Sequence, residues 1–136
     1  MKIQGVVETA IAAADIEVSA KFYENLFGFE RMVNDPRICA MNVAPGHVFL
    51  IFQRGASVDP VQLPGGLIPG HDAHGTHHFA FSIAHEDFDS WCERLKEKGV
   101  EIESIVTWPL GGRSVYFRDP DHHAVELATP GIWKNY

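Results

Sequence analysis

The chain has 136 residues, 46% of them hydrophobic and 21% charged, with a formal net charge of −7. That size suits one domain or two half-domains sharing a core, and the composition is ordinary for a soluble globular protein. The acidic surplus excludes nucleic acid and anionic membrane as natural partners, because both require a basic surface.

Along the chain, β-branched and small residues over 5–13 predict a strand, after which Asp15 caps a helix. Val18, Phe22 and Leu26 recur every four residues there, with Tyr23 beside them, as one apolar stripe. Gly28 stops the helix in the left-handed conformation that a side chain would resist. Short strands are expected near 29–33, 38–43 and 47–53, turned by Asp35-Pro36 and Pro45-Gly46. Residues 55–75 hold Pro60, Pro64, Gly65, Gly66, Pro69 and Gly70. Such a density predicts a connector without regular structure, long enough to lie over a pocket mouth.

The order then repeats. A strand at 77–83 precedes a helix near 86–98 with Phe88, Trp91, Cys92 and Leu95 on one face, and Gly99 ends it. Strands near 100–106, 113–118 and 123–128 follow, turned by Gly111-Gly112 and Asp119-Pro120-Asp121. Glu8 stands 20 residues before Gly28 and His78 stands 21 before Gly99, the spacing of a duplicated unit. The reading is one α+β domain over 1–136: module one 4–54, connector 55–75, module two 76–130 and a tail 131–136. Trp133 in that tail suits the covering of an edge or a partner chain.

No apolar run approaches the roughly 20 residues of a membrane helix, and Met1-Lys2-Ile3-Gln4-Gly5 is no secretion signal. Cys39 and Cys92 are unclustered, which leads to the expectation of a reducing cytoplasm and of two buried structural thiols.

Strand parity says which side chains share a surface. His78 shares a face with Ala80 and Ser82, Glu126 with Ala124 and Ala128, and Glu8 with Val6, Ala10 and Ala12. The bulkier apolar residues of these strands mostly lie opposite, so each polar residue has small neighbours and room for a ligand. An enclosed carboxylate is costly unless paired or metal-bound, and two carboxylates with an imidazole suit manganese, iron, magnesium, nickel or zinc. Periodicity leaves a second account open, with Glu8 at a solvated rim and His78 merely hydrogen-bonded. The remaining histidines, His47, His71, His74, His85, His122 and His123, occur in turns or strand ends and are expected to be solvated.

Four stretches in order, Asp15-Ile16-Glu17-Val18-Ser19-Ala20-Lys21-Phe22-Tyr23, Leu26-Phe27-Gly28-Phe29, His78-Phe79-Ala80-Phe81 and Tyr116-Phe117-Arg118-Asp119-Pro120-Asp121, are followed by Glu126. In them the chain resembles the vicinal oxygen chelate superfamily of glyoxalase I, extradiol dioxygenases, and fosfomycin- and bleomycin-resistance proteins. The resemblance implies two βαβββ modules whose curved mixed sheets enclose a central cleft, often in a homodimer. It implies metal ligation by His78 and Glu126, with Glu8 where the first module commonly has histidine. Ile51 is aligned with a position where glyoxalase I carries glutamate, so a four-ligand site is not expected. Tyr116 matches a substrate-binding tyrosine of the extradiol dioxygenases, although the upstream histidine of that motif is replaced around Thr107-Trp108-Pro109 and His122 replaces its glycine.

Two classes of function follow. The first is a divalent-metal enzyme whose small substrate chelates the metal through two oxygens, lyase or isomerase chemistry ranking ahead of dioxygenation and thiol transfer. Glu8, His78 and Glu126 are then the ligands, Glu8, Glu126 and Tyr116 the catalytic candidates, and Arg113, Tyr116, Trp108 and Phe52 the substrate contacts. The second is a metal-free, bleomycin-resistance-type binding protein, in which the acidic charge favours a cationic compound and aromatic side chains line the cleft.

Overall fold

The computed structural model describes all residues, Met1–Tyr136, and the chain divides into two compact units, Met1–Gly75 and Thr76–Tyr136. The first unit runs β1 (Glu8–Ala13), α1 (Ile16–Phe27), β2 (Glu30–Asn34), β3 (Ile38–Ala44) and β4 (His47–Gln53), then β5 (Val61–Leu63) and β6 (Gly66–Ile68). Its main sheet has the order β1-β4-β3-β2, with β1 parallel to β4 and the other pairs antiparallel. The second unit repeats this with β7 (His78–Ser82), α2 (Phe88–Glu97), β8 (Ile102–Thr107), β9 (Arg113–Arg118) and β10 (Ala124–Ala128), in sheet order β7-β10-β9-β8. Again the first and last strands run parallel and the rest antiparallel. Both units are therefore βαβββ with mixed sheets, and the fold class is α+β. No helix is long and apolar enough to cross a membrane.

Asp15 caps α1 as its residue type predicts: its Oδ1 accepts from the backbone N–H groups of Glu17 and Val18 at 2.8 and 3.2 Å. Gly28 closes the helix at φ 76°, a left-handed conformation that costs glycine little. The buried stripe is Ile16, Ser19, Ala20, Tyr23 and Leu26, whereas Val18 is 52% exposed. The expected Val18–Phe22–Leu26 stripe thus leaves the buried face at its start, because each four-residue step drifts by about 40° around a helix of 3.6 residues per turn. In α2 the expected face holds, with Phe88, Cys92 and Leu95 buried. Both cysteines are buried, and desolvation pushes each thiol above its ordinary value, against a nucleophilic role.

Two expectations need correction. The connector is not structureless: Val61, Gln62 and Leu63 pair with Ile68, Leu67 and Gly66, so Pro64-Gly65 makes a two-residue hairpin turn. His123 is not solvated either. It is fully buried, its Nδ1 accepts from the His77 backbone N–H at 2.8 Å, and its own N–H donates to the Asp119 carboxylate at 2.8 Å.

In the first unit Arg31 on β2 makes paired contacts to α1, at 2.6 and 3.2 Å to Glu17 and at 2.7 and 2.8 Å to Glu24. Hydrogen bonds from Arg31 and then Lys21 hold the exposed Glu17 carboxyl well below the ordinary range, at about 2.

Two outcomes follow from these contacts. Asp15→Ala should destabilise the protein by about 1 kcal/mol, seen as a lower urea midpoint at unchanged slope. Because the folded carboxyl of Glu17 is depressed, its contribution to stability is complete above the unfolded value and fades as pH falls towards about 2. Arg31→Ala should therefore move the Glu17 side-chain titration, followed by NMR, up towards the ordinary glutamate range; an unmoved midpoint would contradict the assignment.

Candidate metal centre

Within the second unit, β10 lies between β7 and β9, with Ala124 opposite His78 and Glu126 opposite Tyr116. That register places His78, Glu126, Ser114 and Tyr116 on one face of the sheet and turns Phe79, Val125, Val115 and Phe117 into the core. The face is the floor of a cavity of about 360 Å³.

Glu126 is the central group. Its side chain is 8% exposed, and an ion withdrawn from water this far needs partners. Ser114, itself fully buried, donates its hydroxyl to Glu126 Oε1 at 2.5 Å and accepts the Trp108 indole N–H at 2.8 Å. One carboxylate oxygen is thereby fixed. The other, Oε2, stands 3.4 Å from His78 Nε2.

The second imidazole nitrogen decides what that approach means. His78 Nδ1 is 3.1 Å from the carbonyl oxygen of Ala124, which can only accept, so Nδ1 carries a hydrogen. In the neutral ring, Nε2 then presents a lone pair towards a carboxylate oxygen. Two such donors converge favourably only around a cation or a proton. A histidine steered by a backbone carbonyl beside a carboxylate steered by a hydroxyl is the arrangement of oriented metal ligands. The donor set fits a divalent ion of intermediate hardness. No third His, Cys, Asp or Glu of this unit joins the pair in a metal-binding group.

The other candidates divide. Tyr116 lies over the same floor, its ring 6.1 Å from that of His78, and Trp108 lines the cavity. Arg113 does not. On β9 it has the opposite parity to Ser114 and Tyr116, so its guanidinium lies 3.8 Å from the Phe88 ring and 3.0 Å from Asp89, on the helix side. Glu8 and Phe52 belong to the first unit, where Glu8 is exposed at the start of β1 and the Phe52 ring sits 4.6 Å from that of His71. The aligned position Ile51 also needs correction. Glu8 pairs with Val48 as His78 pairs with Ala124, so the internal counterpart of Glu126 is Leu50, while Ile51 points into the core fully buried. Sequence reading missed Ser114, although parity from Tyr116 selects it, and missed the cavity-lining Ile132 and Tyr136 of the tail.

Desolvation pushes the Tyr116 phenol above its ordinary value, against a downward pull from the Ser114 hydrogen bond, and the nearby Glu126 charge adds a lesser upward push. Glu126→Gln removes that charge and should lower the Tyr116 titration midpoint in a tyrosinate absorbance or NMR titration; a midpoint that rises or stays fixed would contradict the geometry.

The family model for the Glyoxalase/Bleomycin resistance protein/Dioxygenase superfamily matches residues 5–127. The metallothiol transferase FosB of Staphylococcus epidermidis is 28% identical over 130 residues, spanning 95% of this chain and 84% of its own. The fosfomycin resistance protein FosX of Listeria innocua is 47% identical over a shorter stretch of 51 residues, 37% of this chain and 38% of its own. Among solved structures, the lactoylglutathione lyase of Agrobacterium tumefaciens superposes with a TM-score of 0.89 at 28% identity, covering 98% of this chain and 99% of that one. With a matching family model over nearly its whole length, two βαβββ units and a polar sheet face, the chain belongs to the Glyoxalase/Bleomycin resistance protein/Dioxygenase superfamily.

Proposed function

We propose that the protein is a divalent-metal-dependent enzyme acting on a small substrate that presents two oxygens to the metal. The observation that carries this reading is the convergence of His78 Nε2 and Glu126 Oε2 at 3.4 Å on a cavity floor. His78 and Glu126 are the ligands that the second unit contributes. Manganese, iron, nickel, zinc and magnesium all accept such a set. When bound, the ion supplies Lewis acidity, drawing charge from the substrate's oxygens and leaving positions open for them.

The chain's own residues do the remaining work. Ser114 and Trp108 keep Glu126 in one orientation, so the carboxylate serves as an anchor and is a poor candidate for a mobile base. Tyr116 stands where its hydroxyl can donate to a substrate oxygen, and its upward-shifted phenol keeps that proton at neutral pH. Activation of an electrophilic substrate towards an incoming nucleophile would need no carboxylate base. The relatives named metallothiol transferase and fosfomycin resistance protein support this reading. It reverses the order expected from the sequence, which ranked lyase and isomerase chemistry first. That chemistry is the second reading, supported by the likeness to a lactoylglutathione lyase.

Protein purified without chelator, or reconstituted with manganese, iron, nickel or zinc, should retain a divalent ion by elemental analysis. His78→Ala and Glu126→Gln should each abolish retention. Ser114→Ala, which leaves the ligands but frees Glu126, should weaken affinity by about 10- to 100-fold. Retention of no ion by the wild type would favour metal-free ligand binding instead.

A further inference from the structure

The tail after β10 is built as a wall of this cavity. Gly112 N–H donates to the Gly131 carbonyl at 3.1 Å, and a Cβ on Gly112 would meet the Gly131 carbonyl carbon at 2.6 Å. A Cβ on Gly131 would in turn lie 2.7 Å from Gly112 N, so two glycines are needed for the tail to lie against the β8–β9 turn. Arg113 N–H donates to Thr129 Oγ1 at 2.8 Å, and the Tyr136 hydroxyl bonds both Ser82 Oγ at 2.6 Å and the Ala128 carbonyl at 2.8 Å. These contacts seat Ile132, Trp133 and Tyr136 on the cavity beside Phe81, Trp108 and Tyr116.

The chemistry of this wall is one-sided. Five of the lining residues are aromatic, and no lysine or arginine lines the cavity. Arg113 is committed to Asp89 on the other side of the sheet, and Arg118 to Glu103 at 2.5 and 2.9 Å. An anionic group placed against this wall would lose its water against indole faces, with no lysine or arginine side chain there to replace it. A flat uncharged group would instead exchange water for aromatic contact on several sides. Trp133 is 68% exposed, an unusual cost for the largest side chain unless something covers it.

We propose that Trp133, Tyr136 and Trp108 form a subsite for an uncharged planar aromatic or conjugated group carried by the ligand. This places the substrate among compounds with two metal-facing oxygens at one end and a flat apolar body at the other. The position of the oxygens rests on the metal reading; the aromatic subsite does not.

The test uses three two-oxygen chelators that share a hydroxamate: acetohydroxamate, 2-naphthohydroxamate and phosphonoacetohydroxamate. They are titrated by calorimetry into manganese-loaded and metal-free protein. In parallel, non-chelating 2-naphthamide is titrated into metal-free protein by tryptophan fluorescence. The naphthyl hydroxamate should bind the loaded protein about tenfold more tightly than acetohydroxamate, and the phosphono compound no more tightly. Trp133→Ala and Gly112→Ala should each remove most of the naphthyl gain while leaving acetohydroxamate affinity in place, and Trp133→Ala should weaken 2-naphthamide. Absence of a naphthyl gain, a gain that survives both substitutions, or preference for the phosphonate would overturn the subsite. If 2-naphthamide binds as expected while no hydroxamate responds to metal, the metal reading falls and the subsite stands.

Discussion

A carboxylate taken out of water keeps its charge only if other groups replace the solvent, and at Glu126 the replacements are specific. Ser114 satisfies one oxygen and is itself held by the Trp108 indole, so a three-residue chain across the β8–β9 turn, β9 and β10 fixes the acid in one pose. The other oxygen stands 3.4 Å from His78 Nε2, whose own direction is fixed by a backbone carbonyl. Every functional statement about the second unit descends from that constraint. A site whose donors are already aimed loses little conformational freedom on taking up an ion, which is the physical meaning of preorganisation here.

The duplicated architecture sharpens this point. Both units use the same strand order and the same parallel and antiparallel pairings, yet they carry different side chains at matching positions. Where the second unit has His78, Glu126, Tyr116 and Ser114, the first has Glu8, Leu50, Ala40 and Ile38 by register. Backbone symmetry has thus been kept for folding while polarity has been concentrated in one copy. The first unit puts its ionic groups elsewhere, in the Arg31 contacts that bind the edge strand to α1. A buried acid with no hydroxyl to hold it would destabilise that unit, so leucine at position 50 is consistent with isoleucine at 38.

Much of the architecture was legible because period and punctuation are local signals. Asp15 and Gly28 bracket α1, and the small residues beside His78 and Glu126 mark the face on which the cavity forms. Strand parity decides the positions that local pattern leaves open. Tyr116 as a cleft residue already implies Ser114 and excludes Arg113, two positions apart in consequence though adjacent in sequence. The choice of Ile51 over Leu50 is the same one-residue slip, which moves a side chain from the sheet face that carries Glu8 to the opposite one. The tail and His123 were illegible for another reason. Their roles depend on long-range contacts, such as Tyr136 with Ser82 and His123 with His77, that no local pattern announces.

The central claim concerns one location, the gap between His78 Nε2 and Glu126 Oε2. Anomalous diffraction at the manganese edge, from crystals equilibrated with that ion, tests it most directly. The account requires a peak within coordination distance of both atoms, with Ser114 still bonded to the opposite carboxylate oxygen. A fully occupied manganese ion bound elsewhere, or a Glu126 side chain turned away to pair with another group, would contradict it.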